Sequence, residues 1–328
     1  MEKKQSPNPD GLLNIIQQVK QCYCEPPQKP KRGHPRIYSG LSFLLLGVVA
    51  VAMRTFKDRE LHRLLSKDEK LRQTLGFAKM PHRRTIERRV CSLIAEAEEQ
   101  IAKLGQQIVE QFPPTEQQPQ AGAVDGRMYK AVGPKWHHNH REQGIVPPEL
   151  RNVDTQSDWS HSGYRGWVQG YRLVLQGAIF PLPVPLFAAW RPNSEGEAAI
   201  VQQALRAKKL PIIDVLLGDA AFGSEDLVAE YAEEGGWLLT PQQLPAQRHS
   251  WMHDLYAYRK ETIELLFQRI LQVADLKDCP VKGLQRNGAF VLANVWLYQV
   301  VFWHNHLQGK ALSKIKETID LARWRVPN

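Results

Sequence analysis

Apolar positions fall into two regimes along the chain. From residue 40 to about 112 they recur every three or four residues or run together. From residue 121 they come in short runs of strand length. LSFLLLGVVAVAM (41–53) is apolar on every side, the mark of a helix buried all round, and predicts a helix over 40–54. At 13 residues it falls short of the roughly 20 needed to cross a bilayer. The next stretch sets Phe56, Leu61, Leu64, Leu65 and Leu71 at helical spacing. MPHRRTIERRVCSLIAEAEEQIAKLGQQIVEQF begins a further helix with Thr85 as its expected N-cap.

PPTEQQPQ (113–120) reads as a linker, and beyond it the period changes. AGAVDG predicts a short strand ending at Asp125, and GYRLVLQGAIF and VPLFAAW two more. A helix follows over 191–210, with Asn193 or Ser194 as N-cap and Glu195 or Glu197 in its first turn. PIIDVLL is a buried strand that stops on Gly218 and Asp219. Ser224 caps the next helix, WLLT is a fifth strand, and residues 241–258 show no clear period. KETIELLFQRILQVADL is helical, with Ile263, Leu266, Phe267, Ile270 and Ala274 in one stripe. This order predicts an α/β class: a mixed sheet flanked by helices, preceded by an α-helical domain. The expected divisions are a basic arm or linker (1–36), a helical domain (37–115), a sheet-bearing domain (121–310) and a C-terminal tail (311–328).

Charge narrows the partner. The 328 residues carry a net charge of +9, which points to a polyanion, with nucleic acid the commonest. Between Arg54 and Arg89 there are 12 Lys or Arg against 5 Asp or Glu. Arg84 and Arg88 share a helix face there, with Arg83 adjoining; such a face grips phosphates or is a solvated face near a partner protein, and with the overall charge DNA contact is favoured. Arg32 and Arg36 lie in the basic arm. Four scattered cysteines make neither a disulfide scaffold nor a zinc site. The N-terminus lacks a signal peptide's apolar core, so a cytoplasmic protein is expected, nucleoid-associated when bound to DNA, with no membrane partner.

Asp125 and Asp219 close strands that can lie side by side, and Glu264 borders the apolar stripe of its helix. Two carboxylates about 4 Å apart repel by roughly 4 kcal/mol at an effective dielectric near 20. A cation between them relieves that cost, and oxygen-only ligands suit Mg2+ or Mn2+. Two such ions stabilise in-line phosphoryl displacement. Taken singly, each acid has a plainer role: a turn at Asp125, a cap at Asp219, an ion pair with Lys260 for Glu264.

AVDGRMYKA, SDWSHSGYRGWVQGYRLVL, LLGDAAFGSEDL and KETIELLFQRI together resemble the DDE transposases of bacterial insertion sequences. The resemblance covers residues 121 to about 305 and is weaker in KRGHPRIYSG and the helices after it. It implies a ribonuclease-H-like catalytic domain in which Asp125, Asp219 and Glu264 are catalytic and bind two Mg2+ or Mn2+ ions. It further implies hydrolysis at the ends of a DNA element, strand transfer into target DNA, and a homodimer or higher oligomer holding terminal inverted repeats. The chain departs from the family in two places. Relatives carry Arg four residues before the Glu, where this chain has Lys260 with Arg259 beside it, and some carry Lys where Leu271 stands. Lys130, Lys135, Arg141, Arg172, Arg259 and Lys260 are further expected DNA contacts. A structure-specific nuclease of the same fold and an inactive DNA-binding protein are the alternatives. Trp159, Tyr164, Trp167 and Tyr171 lie close together; such rings stack on bases or fill a core, and the core is favoured.

Overall fold

Two helices that are apolar all round organise the packing, because neither has a face it can leave in water. The computed structural model describes residues 11–24, 37–112, 120–179, 183–246 and 250–322. Helix α1 (Gly11–Cys22) comes first. Then come α2 (Gly40–Ala52), buried from Ser42 to Ala52, α3 (Asp58–Lys67), α4 (Glu69–Thr74), α5 (Arg83–Val90) and α6 (Ile94–Glu110). Next are β1 (Ala121–Lys130), α7 (His138–Glu142), β2 (Asp158–Ser162), β3 (Gly166–Ala178) and β4 (Val184–Pro192). Helix α8 (Glu197–Arg206), β5 (Val215–Leu217), α9 (Glu225–Glu233) and β6 (Trp237–Leu239) follow. The chain continues through α10 (Trp251–Arg259), a π turn (Lys260–Glu264), α11 (Leu265–Ala274), the long α12 (Leu284–Leu307) and α13 (Ile315–Ala322).

The described strands form one curled mixed sheet in the order β2-β3-β1-β5-β6, with β4 also paired to β3. β1 runs antiparallel to β3 and parallel to β5, and β5 runs parallel to β6. β2 and β4 share one edge of β3: β2 pairs with Gly166–Gly170 and β4 with Tyr171–Ala178. Helices α8 and α9 cover one face, packing Ile200, Val201, Leu205, Leu227 and Tyr231 against Val124, Val174 and Leu216. The other face meets a continuous core that runs from Ile15 and Val19 of α1 through α2, α6, α11 and α12 to Ile315 and Ile319 of α13. The helical section and the sheet therefore share that core.

Close approach of α6 to β4 depends on Gly105, where an added Cβ would lie 2.2 Å from the Pro185 carbonyl oxygen. Beside it, the buried Gln299 of α12 donates to the carbonyls of Ile101 and Pro185, both at 2.8 Å, tying three elements together.

Several local expectations are corrected. α1 lies inside the stretch read as an arm; its Ile15, Ile16 and Val19 share one face and are buried. Arg32 and Arg36 lie outside the described residues. His82, not Thr85, caps α5, its ring accepting from the Arg84 N–H, and a turn at 91–93 separates α5 from α6. Gly196 precedes α8, one turn later than Asn193. α10 occupies the stretch read as aperiodic; none of its residues is fully buried, so no apolar stripe marks it. α13 occupies part of the expected tail.

Candidate metal centre

β1 does not end at Asp125: it continues to Lys130 because β3 supplies antiparallel partners along its whole length. Asp125 therefore sits mid-strand, opposite Leu175. Its flanking residues Ala123, Val124 and Tyr129 are buried, which holds the carboxyl on rigid backbone. Asp219 follows β5 through Gly218, and its Oδ1 accepts from the Ala221 N–H at 2.9 Å. The plainer reading of Asp219 as a cap is thus also true, and it leaves Oδ2 to face the site, where it meets Arg259.

The third acid of the group is Glu197, the first residue of α8. Oxygens of Asp125, Glu197 and Asp219 lie within 4.8 Å of one another. Gly126 makes room for it: a Cβ there would stand 2.3 Å from Glu197 Oε1. Sequence reasoning treated Glu197 only as a first-turn residue suited to a helix N-terminus. The signal that could have found it is the small Gly126 next to Asp125, with an acid opening the first crossover helix.

Glu264 is exposed at the end of the π turn and is not one of the three grouped acids, although its charge acts on Asp125. A straight α-helix sets the residue four positions before Glu264 on its face. A π turn is one residue wider, and it swings Arg259, five positions before, toward that place. Arg259 is mostly buried and sets Nη2 3.4 Å from Asp125 Oδ2 and 3.7 Å from Asp219 Oδ2. Lys260 remains exposed.

Charge in the site is nearly balanced by two arginines. Arg259 bridges the aspartates; Arg172 lies 3.4 Å from Glu197 and donates to Ser160 Oγ and the Glu195 carbonyl. Arg172 is 6% exposed, so it holds the site together from within. Burial, only partly offset by Arg259 and the Gly126 N–H, pushes the Asp125 carboxyl up to about 6, with Asp219 and Glu264 adding to the rise. Burial likewise raises the Glu197 carboxyl against the pull of Arg172.

A cleft of about 590 Å³ opens beside these acids, lined by Asp125, Glu197, Asp219, Arg172 and the β2–β3 turn. Other expected DNA contacts lie elsewhere. Arg83, Arg84 and Arg88 are exposed on α5, Lys130 is exposed at the end of β1, and Lys135 is exposed beyond it. Arg141 is paired with Asp158. The aromatic cluster divides: Tyr171 is buried and Trp159 half-buried, its indole donating to the Trp136 carbonyl, whereas Tyr164 and Trp167 are exposed.

Among the described residues no helix is long and apolar enough to cross a membrane. No protein-family model matches the chain, and no curated protein matches it. Two solved structures are similar to it. The cryo-EM structure of a piggyBac transposase synaptic complex with hairpin DNA is 10% identical over 98% of this chain and 82% of that one, with a TM-score of 0.45. The Mos1 transposase paired-end complex with left transposon end is 13% identical over 87% of this chain and 84% of that one, with a TM-score of 0.20.

Proposed function

We propose that the protein is a DNA transposase working in the cytoplasm, with its phosphodiester chemistry at Asp125, Glu197 and Asp219 and with Glu264 as a further acid beside them. One observation carries the reading: acids from the interior strand β1, the start of α8 and the turn after β5 converge within 4.8 Å where β5 ends beside β1. The order of strands, with β1 between an antiparallel β3 and a parallel β5, supports a ribonuclease-H-like assignment. The resemblance of the Asp125, Asp219 and Glu264 stretches points the same way.

The oxygen-only donor set fits Mg2+ or Mn2+, and a positive charge, that of Arg259, already stands between two of its carboxylates. Two such ions, when bound, supply an activated water or 3′-hydroxyl and neutralise the leaving oxygen. Asp125 and Asp219 present ligand oxygens from fixed backbone. Arg172 holds Glu197 toward them. Arg259, once freed from its aspartates, offers its planar donors to a phosphate. A homodimer or higher oligomer would hold two terminal inverted repeats and the target DNA, with Arg83, Arg84, Arg88, Lys130, Lys135 and Lys260 on phosphates.

The test incubates purified protein with DNA bearing the inverted repeats that flank its gene, plus Mn2+. Nicks at the repeat ends and strand-joined products are expected, and both should vanish in Asp125→Asn and Asp219→Asn. Glu197→Gln and Glu264→Gln then show which glutamate the chemistry needs. Cleavage without joining would select a structure-specific nuclease. Salt-sensitive binding with no metal-stimulated cleavage would select an inactive DNA-binding protein. An Asp219→Asn variant that nicks and joins like the parent overturns the site.

A further inference from the structure

The β2–β3 hairpin carries two large aromatic side chains that the fold does not bury: Tyr164 in the turn and Trp167 at the start of β3, paired with His161 of β2. Tyr164 is 97% exposed and Trp167 66% exposed, in a protein that otherwise buries most of its large aromatics. Trp167 is braced by an edge-on contact with the His161 ring at 5.5 Å. Gly166, at φ +67°, gives the turn its sharp reversal. The turn curls back toward the acids: Arg165 Nη1 lies 3.5 Å from the Met128 carbonyl, three residues beyond Asp125 on β1. His161, Ser162, Gly163, Tyr164 and Arg165 line the same cleft as Asp125, Glu197 and Asp219.

Cations accompany the rings. Arg127 lies on the cleft wall close enough to Arg165 for their charges to repel, and Arg165 has only a loose ion pair, 3.9 Å from Asp278. Exposed π faces beside two cations match a single-stranded nucleotide: the base stacks on a ring and the phosphate meets the guanidinium groups. A base paired inside a duplex is stacked on both faces and offers the rings nothing to stack on.

Resting on the transposase reading, we infer that the β2–β3 turn is a binding subsite for one unpaired nucleotide of the DNA strand that enters the acidic cleft, with Tyr164 as the stacking platform, Trp167 as its flank, and Arg127 and Arg165 on the phosphate. The cut at the acids thereby becomes coupled to local opening of the duplex, because only a frayed or flipped base reaches the turn.

The test uses the full-length protein without metal and two fluorescent probes, each carrying 2-aminopurine: one at an unpaired position of an overhang, the other paired in a blunt duplex. Binding should quench the unpaired probe strongly and the paired probe little. Tyr164→Ala should weaken overhang binding by roughly 5- to 150-fold, the range of one base–aromatic stack, and abolish the quench. Tyr164→Phe should restore both, and blunt-duplex affinity and Tm should stay at parental values. A Tyr164→Ala variant that binds and quenches the overhang like the parent overturns the subsite, as does equal loss on both probes. Asp125→Asn separates the two ideas: it abolishes cleavage and keeps the quench if both hold. A cleaving Asp125→Asn defeats the reading of the acids and leaves the fluorescence result standing on its own.

Discussion

Arg259 is the residue on which the site turns. Its guanidinium lies against both aspartates, so it already offsets the repulsion that a divalent cation would relieve. The two cations compete for the same oxygens, and removing one favours the other by mass action. Arg259→Ala should therefore bind Mn2+ more tightly than the parent, by about tenfold, with Arg259→Lys between them; calorimetric titration without DNA reads this directly. Unchanged or weaker binding would mean that Arg259 supports the metal instead of replacing it. The raised Asp125 carboxyl makes a second prediction. Its folded value is about 6 against 3.8 unfolded, so between those pH values the folded chain holds a proton that the unfolded chain lacks. In chelator, stability from this group should rise as pH falls through 6 toward 4, by at most about 3 kcal/mol. Plotting the unfolding free energy of the parent minus that of Asp125→Asn against pH should show this slope; a flat difference contradicts it.

Among the elements, those with a strong periodic signal are where the sequence pattern places them. α2 covers Gly40–Ala52, and α11 carries the stripe of Ile270 and Phe267. The strands at 184 and 237 and the helix after Ser224 also stand as expected, although the Ser224 side chain makes no capping hydrogen bond. What escaped has a physical reason in each case. β2 is short and half-exposed, with polar Ser160, His161 and Ser162, so alternation is too brief to read. The extension of β1 beyond Asp125 depends on pairing with β3, a long-range contact no local pattern encodes. Asp125 and Asp219 are legible as acids that follow apolar strand runs, though not that β1 continues past Asp125, while Glu197 is not, because a glutamate opening a helix is ordinary by local rules. The π turn was equally hidden; it shows only in which of two adjacent cations faces the aspartates. At this scale Gly105 gives the sharpest test. Its missing side chain lets α6 lie on β4, and the obstacle is backbone, which cannot rotate away. Gly105→Ala should cost about 1–3 kcal/mol by overpacking, despite alanine's better helix propensity, measured by chemical denaturation. A stabilised variant would mean that the α6–β4 contact is looser than the structure places it.

For the whole molecule, the surplus of positive charge has a place as well as a size. The α3–α5 region presents Arg83, Arg84 and Arg88 to solvent, while α6 and α12 anchor it to the core that also supports the sheet. Continuity of that core means that DNA gripped by α5 and DNA entering the acidic cleft would be held by one body, so register between grip and cut is set by packing. The two contacts separate energetically nonetheless. Phosphate contacts on duplex DNA release counterions, and each lowers the slope of log affinity against log salt by about 0.9. Replacing Arg83, Arg84 and Arg88 together by Ala should flatten that slope by about 2 to 3 and weaken binding to every duplex alike, leaving Mn2+ affinity at Asp125 and Asp219 unchanged. A salt titration with the parent and the triple variant on two unrelated duplexes measures it. An unaltered slope would move the grip to another surface, with Lys130 and Lys135 at the far end of β1 the next positions to replace.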